Sequence, residues 1–219
     1  MTGTAGTAGD AKAARTANAA DTRVNATKAA GAVKTTNVRD GAALALGLVI
    51  VVIGSTMPSG LYAIYQRDWG LSTDKTVVVF ACYAVGVIVT LTYGHLSDSL
   101  GRKPIALTSM GLSLASTLMF LAAALVDSHE AVLYLARIVS GFSVGLATGS
   151  FTALLQEKLF TQIGALTSTV SVSGALALGP LASAVVAQFS SSPLQMPYWI
   201  YAALTVVSMV GVARVRERS

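Results

Sequence analysis

The sequence predicts an all-α membrane protein, a polytopic bundle of six transmembrane helices, and three observations predict it. Hydrophobic residues make up 53% of the 219 residues and charged residues only 11%, which is too apolar for an ordinary soluble domain. The charges divide the chain into apolar intervals of about 20 residues, the length that a helix needs to cross a bilayer. The cations lie at the ends of those intervals and form no basic stripe, so we expect no nucleic-acid partner.

The first 40 residues differ from the rest and are predicted to form a disordered cytoplasmic tail. Ala, Thr and Gly dominate this segment, and it has too few large apolar side chains to offset the entropy of ordering it. No apolar stretch of a secretory signal precedes Ala42, whereas an organelle transit peptide remains an alternative because acidic residues are few. The predicted domains are therefore a tail, residues 1–40, and a membrane domain, residues 41–219.

The charges that bound each apolar interval define the six predicted spans. No charge appears between Lys158 and Arg214, and the stretch Ser190–Pro197 is expected to divide that interval into two helices because proline interrupts helical hydrogen bonding. The predicted spans are, in order, Ala42–Tyr65, Thr76–Tyr93, Pro104–Val126, a fourth between Glu130 and Glu157, Ile163–Phe189 and Tyr198–Ala213.

The distribution of Lys and Arg predicts the orientation. Twelve cations flank one side of the predicted bundle, and two, Arg67 and Lys75, flank the other. Cationic flanks stay on the cytoplasmic side, so we expect a multi-pass protein of the plasma membrane with both termini in the cytoplasm. Aromatic residues near the opposite boundary are expected to anchor at the lipid headgroups. They are Tyr65, Trp69, Tyr198, Trp199 and Tyr201.

A polar turn with a specific motif joins the second and third predicted spans. It reads Gly94-x-Leu96-x-Asp98-x-x-Gly101-Arg102-Lys103-Pro104. This pattern resembles the signature loop between the second and third membrane helices of the major facilitator superfamily. The resemblance implies that Asp98, Arg102 and Lys103 latch a cytoplasmic gate, with Gly94 and Gly101 allowing close backbone approach. The alternative is that the two cations only set orientation and Asp98 is a polar residue at a helix end.

The resemblance covers about residues 41–219 and implies the amino-terminal half of that fold. The family normally has twelve spans, whereas six are predicted in this chain. In such a half, spans one to three and four to six form a 3+3 inverted repeat, and substrate binds where two halves face each other.

Arg137 lies well inside the fourth predicted span, where a buried arginine is costly unless it is paired or faces water. With Gly141 four residues later, it resembles the family's fourth-helix motif, although Ser140 replaces the usual glutamine. The functional interpretation is substrate binding or proton-coupling electrostatics, and the alternative is a side chain that extends to the lipid headgroups. Gly141, Gly145 and Gly149 recur every four residues and predict a face for helix packing.

The first span carries Pro58 between two glycines at membrane depth, which weakens a helix. Such discontinuities often mark carrier sites near the midplane. The hydroxyls of Thr56 and Tyr62 are therefore candidates for contact with a solute, as is that of Tyr65, which is equally well placed as a headgroup anchor.

Gly179 and Pro180 in the fifth span resemble the Gly-Pro core of a motif found in exporting, antiport-type members. The match is partial, because Ser183 and Ala184 stand where that motif closes with glycines. The resemblance implies export, and the alternative is a kink that serves helix packing.

No Walker-type loop, nucleophile elbow, dinucleotide fingerprint or spaced His/Glu metal pair appears in the sequence, so we predict no enzyme, no catalytic residue, no metal and no cofactor. The expected activity is secondary transport of a small-molecule solute by alternating access, with efflux of drug-like or amphipathic compounds favoured. The expected partners are membrane lipids and a second six-helix half, or a second copy in a homodimer. The alternatives are a truncated half without independent transport and a membrane interaction protein that docks through its glycine-rich faces.

Overall fold

The computed structural model describes residues 38–92, 101–123 and 129–215, and these residues form helices and no strand. Six helices are long and apolar enough to cross a membrane, which confirms the predicted fold class. They are α1, Val38–Trp69; α2, Thr73–Thr92; α3, Arg102–Ala123; α4, His129–Leu159; α5, Thr161–Gln188; and α6, Met196–Ala213. The predicted tail lies almost entirely outside the described residues, and its boundary at residue 40 stays a prediction.

Several helices extend beyond the predicted spans, because the charges that bound an apolar interval are still compatible with a helix. α1 runs on to Trp69, so Arg67 and Asp68 are helical. α4 has 31 residues and contains both Glu157 and Lys158. At 1.5 Å per residue such a helix is about 46 Å long, longer than a hydrocarbon core of about 30 Å. Its charged ends therefore have room to lie at the level of the headgroups.

The bundle has two ends, which we name after the residues found there. The Lys158 end brings together the start of α1 and the end of α4, since Lys158 pairs with Asp40. The Trp69 end brings together the end of α1 and the starts of α2 and α4, since Gln66 donates to the Thr76 hydroxyl at 3.2 Å and Lys75 pairs with Glu130. These contacts show that α1 runs antiparallel to α4 and that α2 runs parallel to α4.

The apolar core consists of two clusters, one toward each end. The cluster toward the Lys158 end is mostly aliphatic and includes Leu48, Met110 and Phe151, from α1, α3 and α4. The cluster toward the Trp69 end is rich in aromatic residues and includes Tyr65, from α1, and Tyr198, from α6. Tyr62, from α1, and Phe120, from α3, also belong to the aromatic cluster.

α2 and α5 carry the most exposed apolar surface of the bundle. Only 22% of the most apolar window of each of these helices is buried, against 56% for α1 and α4. Val77 and Ile88 on α2 and Leu166 and Val170 on α5 are each more than 60% exposed. Surfaces of this kind are stable only against lipid or another apolar partner.

Candidate functional site

Arg137 is enclosed inside the bundle, with 2% of its surface exposed. Its Nε donates a hydrogen bond to the Tyr62 hydroxyl at 2.8 Å, and one terminal nitrogen donates to the same oxygen. The other terminal nitrogen donates to the backbone carbonyl of Ser55. Among the described residues, no carboxylate lies within 4.0 Å of the guanidinium. The side chain points into the bundle and does not extend to the headgroups.

Four aromatic rings surround the guanidinium and take the place of a counter-ion. The guanidinium carbon lies 5.4 Å from the centre of the Tyr62 ring and 5.8 Å from the centres of the Phe80, Tyr83 and Phe120 rings. The negative faces of such rings attract a cation, and the attraction strengthens where water is excluded. α1, α2 and α3 each contribute to this cage around a residue of α4.

Ser55, whose carbonyl accepts from Arg137, lies just before the point where α1 changes from an α-helix to a 3₁₀ turn. Residues 38–56 are α-helical, Met57–Leu61 forms a tighter 3₁₀ turn, and Tyr62–Trp69 is α-helical again. Pro58 has no amide hydrogen, so the α-helical pattern cannot pass through it without losing a bond. Backbone carbonyls at such a break need other donors in an apolar surrounding, and Arg137 supplies one to Ser55.

α5 supplies another donor to the same break. The Ser183 hydroxyl donates to the Met57 carbonyl at 2.8 Å. A Cβ built on Gly60 would lie 2.3 Å from the Pro180 carbonyl oxygen, and a Cβ built on Gly179 would lie 2.0 Å from the Thr56 hydroxyl. Only glycine fits at such approaches, so the interruption of α1 and the proline of α5 are packed directly against each other.

The hydroxyls proposed from the sequence for solute contact are engaged within the bundle. The Thr56 hydroxyl donates to the Val52 carbonyl at 3.1 Å. Tyr62 accepts from Arg137, and the Tyr65 and Tyr198 hydroxyls lie 2.7 Å apart. A solute that reaches one of these groups in this arrangement has to displace an existing bond.

Three of the five predicted headgroup anchors are buried, contrary to the expectation of an aromatic belt. Tyr65, Tyr198 and Tyr201 are 1–2% exposed, whereas Trp199 is 57% exposed. The physical reason is that each buried hydroxyl finds a partner inside: Tyr65 pairs with Tyr198, and Tyr201 lies 2.6 Å from the Ser113 hydroxyl. The ring of Tyr198 also stacks on Phe120, with centres 5.2 Å apart.

Part of the predicted gate lies at the Lys158 end. Gly101 has φ +87°, a conformation that favours glycine, and it leads into α3. Arg102 pairs with Glu157 of α4, and Lys103 donates to the Val215 carbonyl at 2.7 Å. Gly94 and Asp98 lie outside the described residues. The two cations thus tie α3 to α4 and to the end of α6, and the gate itself stays a prediction.

Lys158 and Asp40 form a more buried ion pair at this end, with 6% and 14% of their side chains exposed and 3.4 Å between nitrogen and oxygen. Replacing Asp40 with Asn removes the charge and keeps one oxygen acceptor. We expect the free energy of unfolding in mixed micelles to fall by about 1 kcal/mol, because a charged acceptor is lost where water is scarce.

Glu157→Gln is the matched control for Asp40→Asn. Its pair with Arg102 is nearly half-exposed on both sides, so we expect a loss of only a few tenths of a kcal/mol. Equal losses in the two variants would contradict the importance of burial for the Lys158 pair.

Two of the three glycines predicted to form a packing face on α4 lie against α2. A Cβ on Gly141 would lie 2.3 Å from the Tyr83 carbonyl oxygen, and one on Gly145 would lie 2.6 Å from the Cβ of Thr90. Gly149 is exposed, and no described atom lies within 4 Å of a Cβ built there. Since α2 is described only as far as Thr92, packing at Gly149 stays a prediction.

Sequence reasoning missed most partners of Arg137. Ser55 contributes a carbonyl, which every residue has, and Phe80 and Phe120 are apolar residues in apolar helices. In the sequence, Ser183 stands out only as a departure from a family motif, yet its hydroxyl donates across the α1–α5 contact. The one available signal was the proline in α1, since a broken helix creates carbonyls that need donors.

Comparison with known proteins identifies the family. A profile of the Major Facilitator Superfamily matches residues 44–219. The chain is similar to the quinolone resistance protein NorA of Staphylococcus aureus, with 27% identity over 172 residues that cover 74% of this chain and 41% of that protein. It is also similar to a gallate transporter of Pseudomonas putida, with 33% identity over 130 residues that cover 58% of this chain and 27% of that protein. The chain therefore spans less than half the length of these relatives.

Members of this family are generally carriers and not enzymes. The matched residues include α2 to α6 and most of α1, and with them Arg137 and the crossing of α1 and α5. On the extent of that match, the chain belongs to the Major Facilitator Superfamily.

Proposed function

We propose that this chain forms the amino-terminal six-helix half of a secondary transporter that moves a small amphipathic or drug-like solute by alternating access. The observation that carries the proposal is the contact between two interrupted helices. The 3₁₀ turn of α1 packs on Pro180 of α5, and Arg137 and Ser183 donate to carbonyls of α1 at that level. Interrupted helices at membrane depth are typical of carrier sites.

Export is the proposed direction. The Gly179-Pro180 pair lies against α1, in keeping with the exporter motif that it resembles. The similarity to a quinolone resistance protein supports the same direction and a drug-like solute, whereas the gallate transporter supports a small aromatic acid. Solute class and direction are therefore tested together in the experiment below.

The proposed transporter requires a second six-helix unit, either a second copy or a separate half. Substrate sites of this family lie between two halves, so six helices enclose only one side of such a site. The exposed apolar surfaces of α2 and α5 support a partner of the same kind. A truncated chain without transport, or one that only docks on other membrane proteins, is the competing proposal.

A transport assay separates these proposals. The chain is expressed alone and together with a second six-helix unit of the same family in bacteria that lack their own efflux pumps, and exit of preloaded ethidium is followed by fluorescence. Exit with the chain alone supports self-pairing, and exit only with both units supports a two-half carrier. No exit above that of empty cells, for ethidium or for an aromatic carboxylate, would contradict the transport proposal.

The same assay tests the proposed gate. Asp98→Asn is expected to reduce transport by about tenfold or more, since it removes the charge that would pair across the gate. Asp74→Asn, a carboxylate at the start of α2 and so at the Trp69 end, serves as the control and is expected to leave transport unchanged. Equal transport in the two variants would remove Asp98 from the gate.

The proposed location is the plasma membrane, with both termini in the cytoplasm. Reporter fusions at each terminus test this orientation, because alkaline phosphatase is active only outside the cytoplasm and green fluorescent protein is fluorescent inside it. Fluorescence at both termini is the expected result, and phosphatase activity at either terminus would overturn the orientation.

A further inference from the structure

A second candidate ligand site lies at the Trp69 end, apart from the Arg137 cage. A surface cavity of about 410 Å³ opens between the last turns of α1, the end of α5 and the segment that leads to α6. Its lining residues are Gly60, Ile64, Arg67, Ala184, Ala187, Gln188, Ser190 and Pro193. This volume lies within the range of small-molecule sites, about 300–1,000 Å³.

Closely packed residues of α1 and α5 form one side of the cavity, which we call its floor. Gly60 is packed against the Pro180 carbonyl, and Ala187 of the floor is 4% exposed. Ile64 and Pro193 add apolar surface along the walls. The cavity is therefore bounded on one side by the same crossing of α1 and α5 that supports the interrupted segment of α1.

Three side chains in the lining hold hydrogen-bond donors that no described residue accepts. Arg67 uses Nε and one terminal nitrogen on Asp68, at 2.7 and 3.4 Å, which leaves its other terminal nitrogen. The Ser190 hydroxyl oxygen accepts from the Ser192 amide at 3.1 Å, and its own hydrogen has no described acceptor. The Gln188 amide group makes no described hydrogen bond.

The pair that Arg67 forms with Asp68 is weak competition for a ligand. Both side chains are exposed, 71% for Arg67 and 38% for Asp68, and an exposed pair contributes little stability. Arg67 is the charged member of the lining. The remaining guanidinium nitrogen, with amide and hydroxyl donors in the same lining, matches the acceptor oxygens of a carboxylate, since hydrogen bonds from a charged donor to a carboxylate are strong.

We propose that this cavity binds a small amphipathic organic anion, with its carboxylate at Arg67, Gln188 and Ser190 and its apolar part against Ile64, Ala184 and Pro193. The site lies where α1 and α5 reach the end of their spans, so an amphipathic anion can enter from the headgroup level. Binding to this cavity does not depend on transport, so it can be measured without a transport assay.

The test is protection of a single cysteine in the purified full chain, held in nanodiscs of phosphatidylcholine. Cys82→Ser removes the one native cysteine, and Ala184→Cys places a thiol in the cavity without removing a proposed donor. Benzoate is the probe, and benzamide is its uncharged counterpart of the same shape. A ligand of this size is expected to bind with a Kd in the millimolar range. At a benzoate concentration about ten times the Kd, about one site in ten is empty, so alkylation by N-ethylmaleimide is expected to slow about tenfold.

The expected result is protection by benzoate, little protection by benzamide, and loss of protection in Arg67→Gln. Arg214→Gln, which removes an exposed arginine beyond the end of α6, is expected to leave protection unchanged. Ser72→Cys, an exposed position between α1 and α2 and outside the lining, reports non-specific effects of benzoate on alkylation.

Three results would each overturn the proposal. The first is protection by benzamide equal to that by benzoate, and the second is protection by benzoate in Arg67→Gln equal to that in the original chain. The third is protection of the thiol that appears only when phosphatidylglycerol replaces phosphatidylcholine in the nanodiscs. The last result would assign the cavity to a lipid headgroup. Loss of transport in the ethidium assay would leave this binding result unaffected, so the two proposals fail separately.

Discussion

Replacing Tyr62 with Phe is expected to lower the free energy of unfolding by about 2 kcal/mol when Arg137 is present. The substitution keeps the ring that faces the guanidinium and removes the oxygen that accepts from two of its nitrogens. Arg137 is 2% exposed, so water cannot replace the lost acceptor, and the buried cation is left with fewer bonds. Unfolding of the purified protein in mixed micelles of rising SDS fraction measures the change.

The same substitution is expected to cost much less once Arg137 is replaced by Met. Met fills a similar volume and places no charge among the rings. In that background, removing the Tyr62 hydroxyl leaves no buried cation without an acceptor. The difference between the two backgrounds is the coupling energy of the pair, expected to be about 1–2 kcal/mol. A coupling near zero would contradict the assignment of Tyr62 as the principal acceptor for Arg137.

Tyr83→Phe is the control for the Tyr62 substitution. The Tyr83 ring also faces the guanidinium, with its centre 5.8 Å away, yet its hydroxyl makes no hydrogen bond within the described part of the chain. Removing that hydroxyl keeps the ring contact and is expected to change stability by no more than a few tenths of a kcal/mol. A loss of stability as large as that of Tyr62→Phe would contradict the hydrogen bond to Arg137 as the cause, because the Tyr83 hydroxyl makes no such bond.

The fold could be predicted from the sequence because it depends on the lengths of the apolar intervals, and these are spread along the whole chain. Apolar intervals of spanning length are set by every residue in them, so no single position decides whether a helix crosses the bilayer. The charges that end each interval were less reliable as boundaries. Glu157 and Lys158 lie inside α4, because a helix continues into the headgroup region, where charges are solvated.

The candidate site could be predicted only in part, because a side chain's partners depend on packing between distant helices. Arg137 was recognisable, since a charge inside an apolar span needs a partner or water. Apart from Tyr62, its partners are a carbonyl of α1 and aromatic rings on α2 and α3, which carry no sequence signal of their own. Tyr65 and Tyr198 were assigned to the lipid boundary because aromatic residues near helix ends usually lie there. They are buried because their hydroxyls pair with each other.

The geometry at Arg137 also limits the role that this residue would have in the proposed transporter. In this arrangement the guanidinium contacts carbonyl and hydroxyl oxygens of α1 and is closed off by rings, so a solute would not touch it. Its direct effect is on the interrupted part of α1, which in turn packs on Pro180 of α5. A loss of transport in an Arg137 variant is therefore expected to come from a changed α1, and the coupling energy with Tyr62 measures one contact through which Arg137 acts on α1.

Replacing Gly141 with Ala is expected to destabilise the bundle by about 1–3 kcal/mol, the usual cost of excess volume in a packed interior. The added Cβ would lie 2.3 Å from the Tyr83 carbonyl oxygen and 3.0 Å from the Cα of Gly86. Both atoms belong to the backbone of α2, so no side chain can rotate away, and α2 and α4 have to separate. Gly86→Ala meets the Ile138 carbonyl at 2.4 Å and is expected to have the same effect from the opposite helix.

Gly174→Ala is the matched control, because this glycine also lies inside a membrane helix and no described atom lies within 4 Å of a Cβ built there. Alanine is a better helix former than glycine by up to about 1 kcal/mol, so this variant is expected to be as stable as the original or more stable. Melting temperatures measured in the same detergent give the comparison. Equal stability of the Gly141 and Gly174 variants would contradict the close contact between α2 and α4. A loss confined to Gly141 and Gly86 would show that the backbones of α2 and α4 are in direct contact here, with no side chain between them that could give way to added volume.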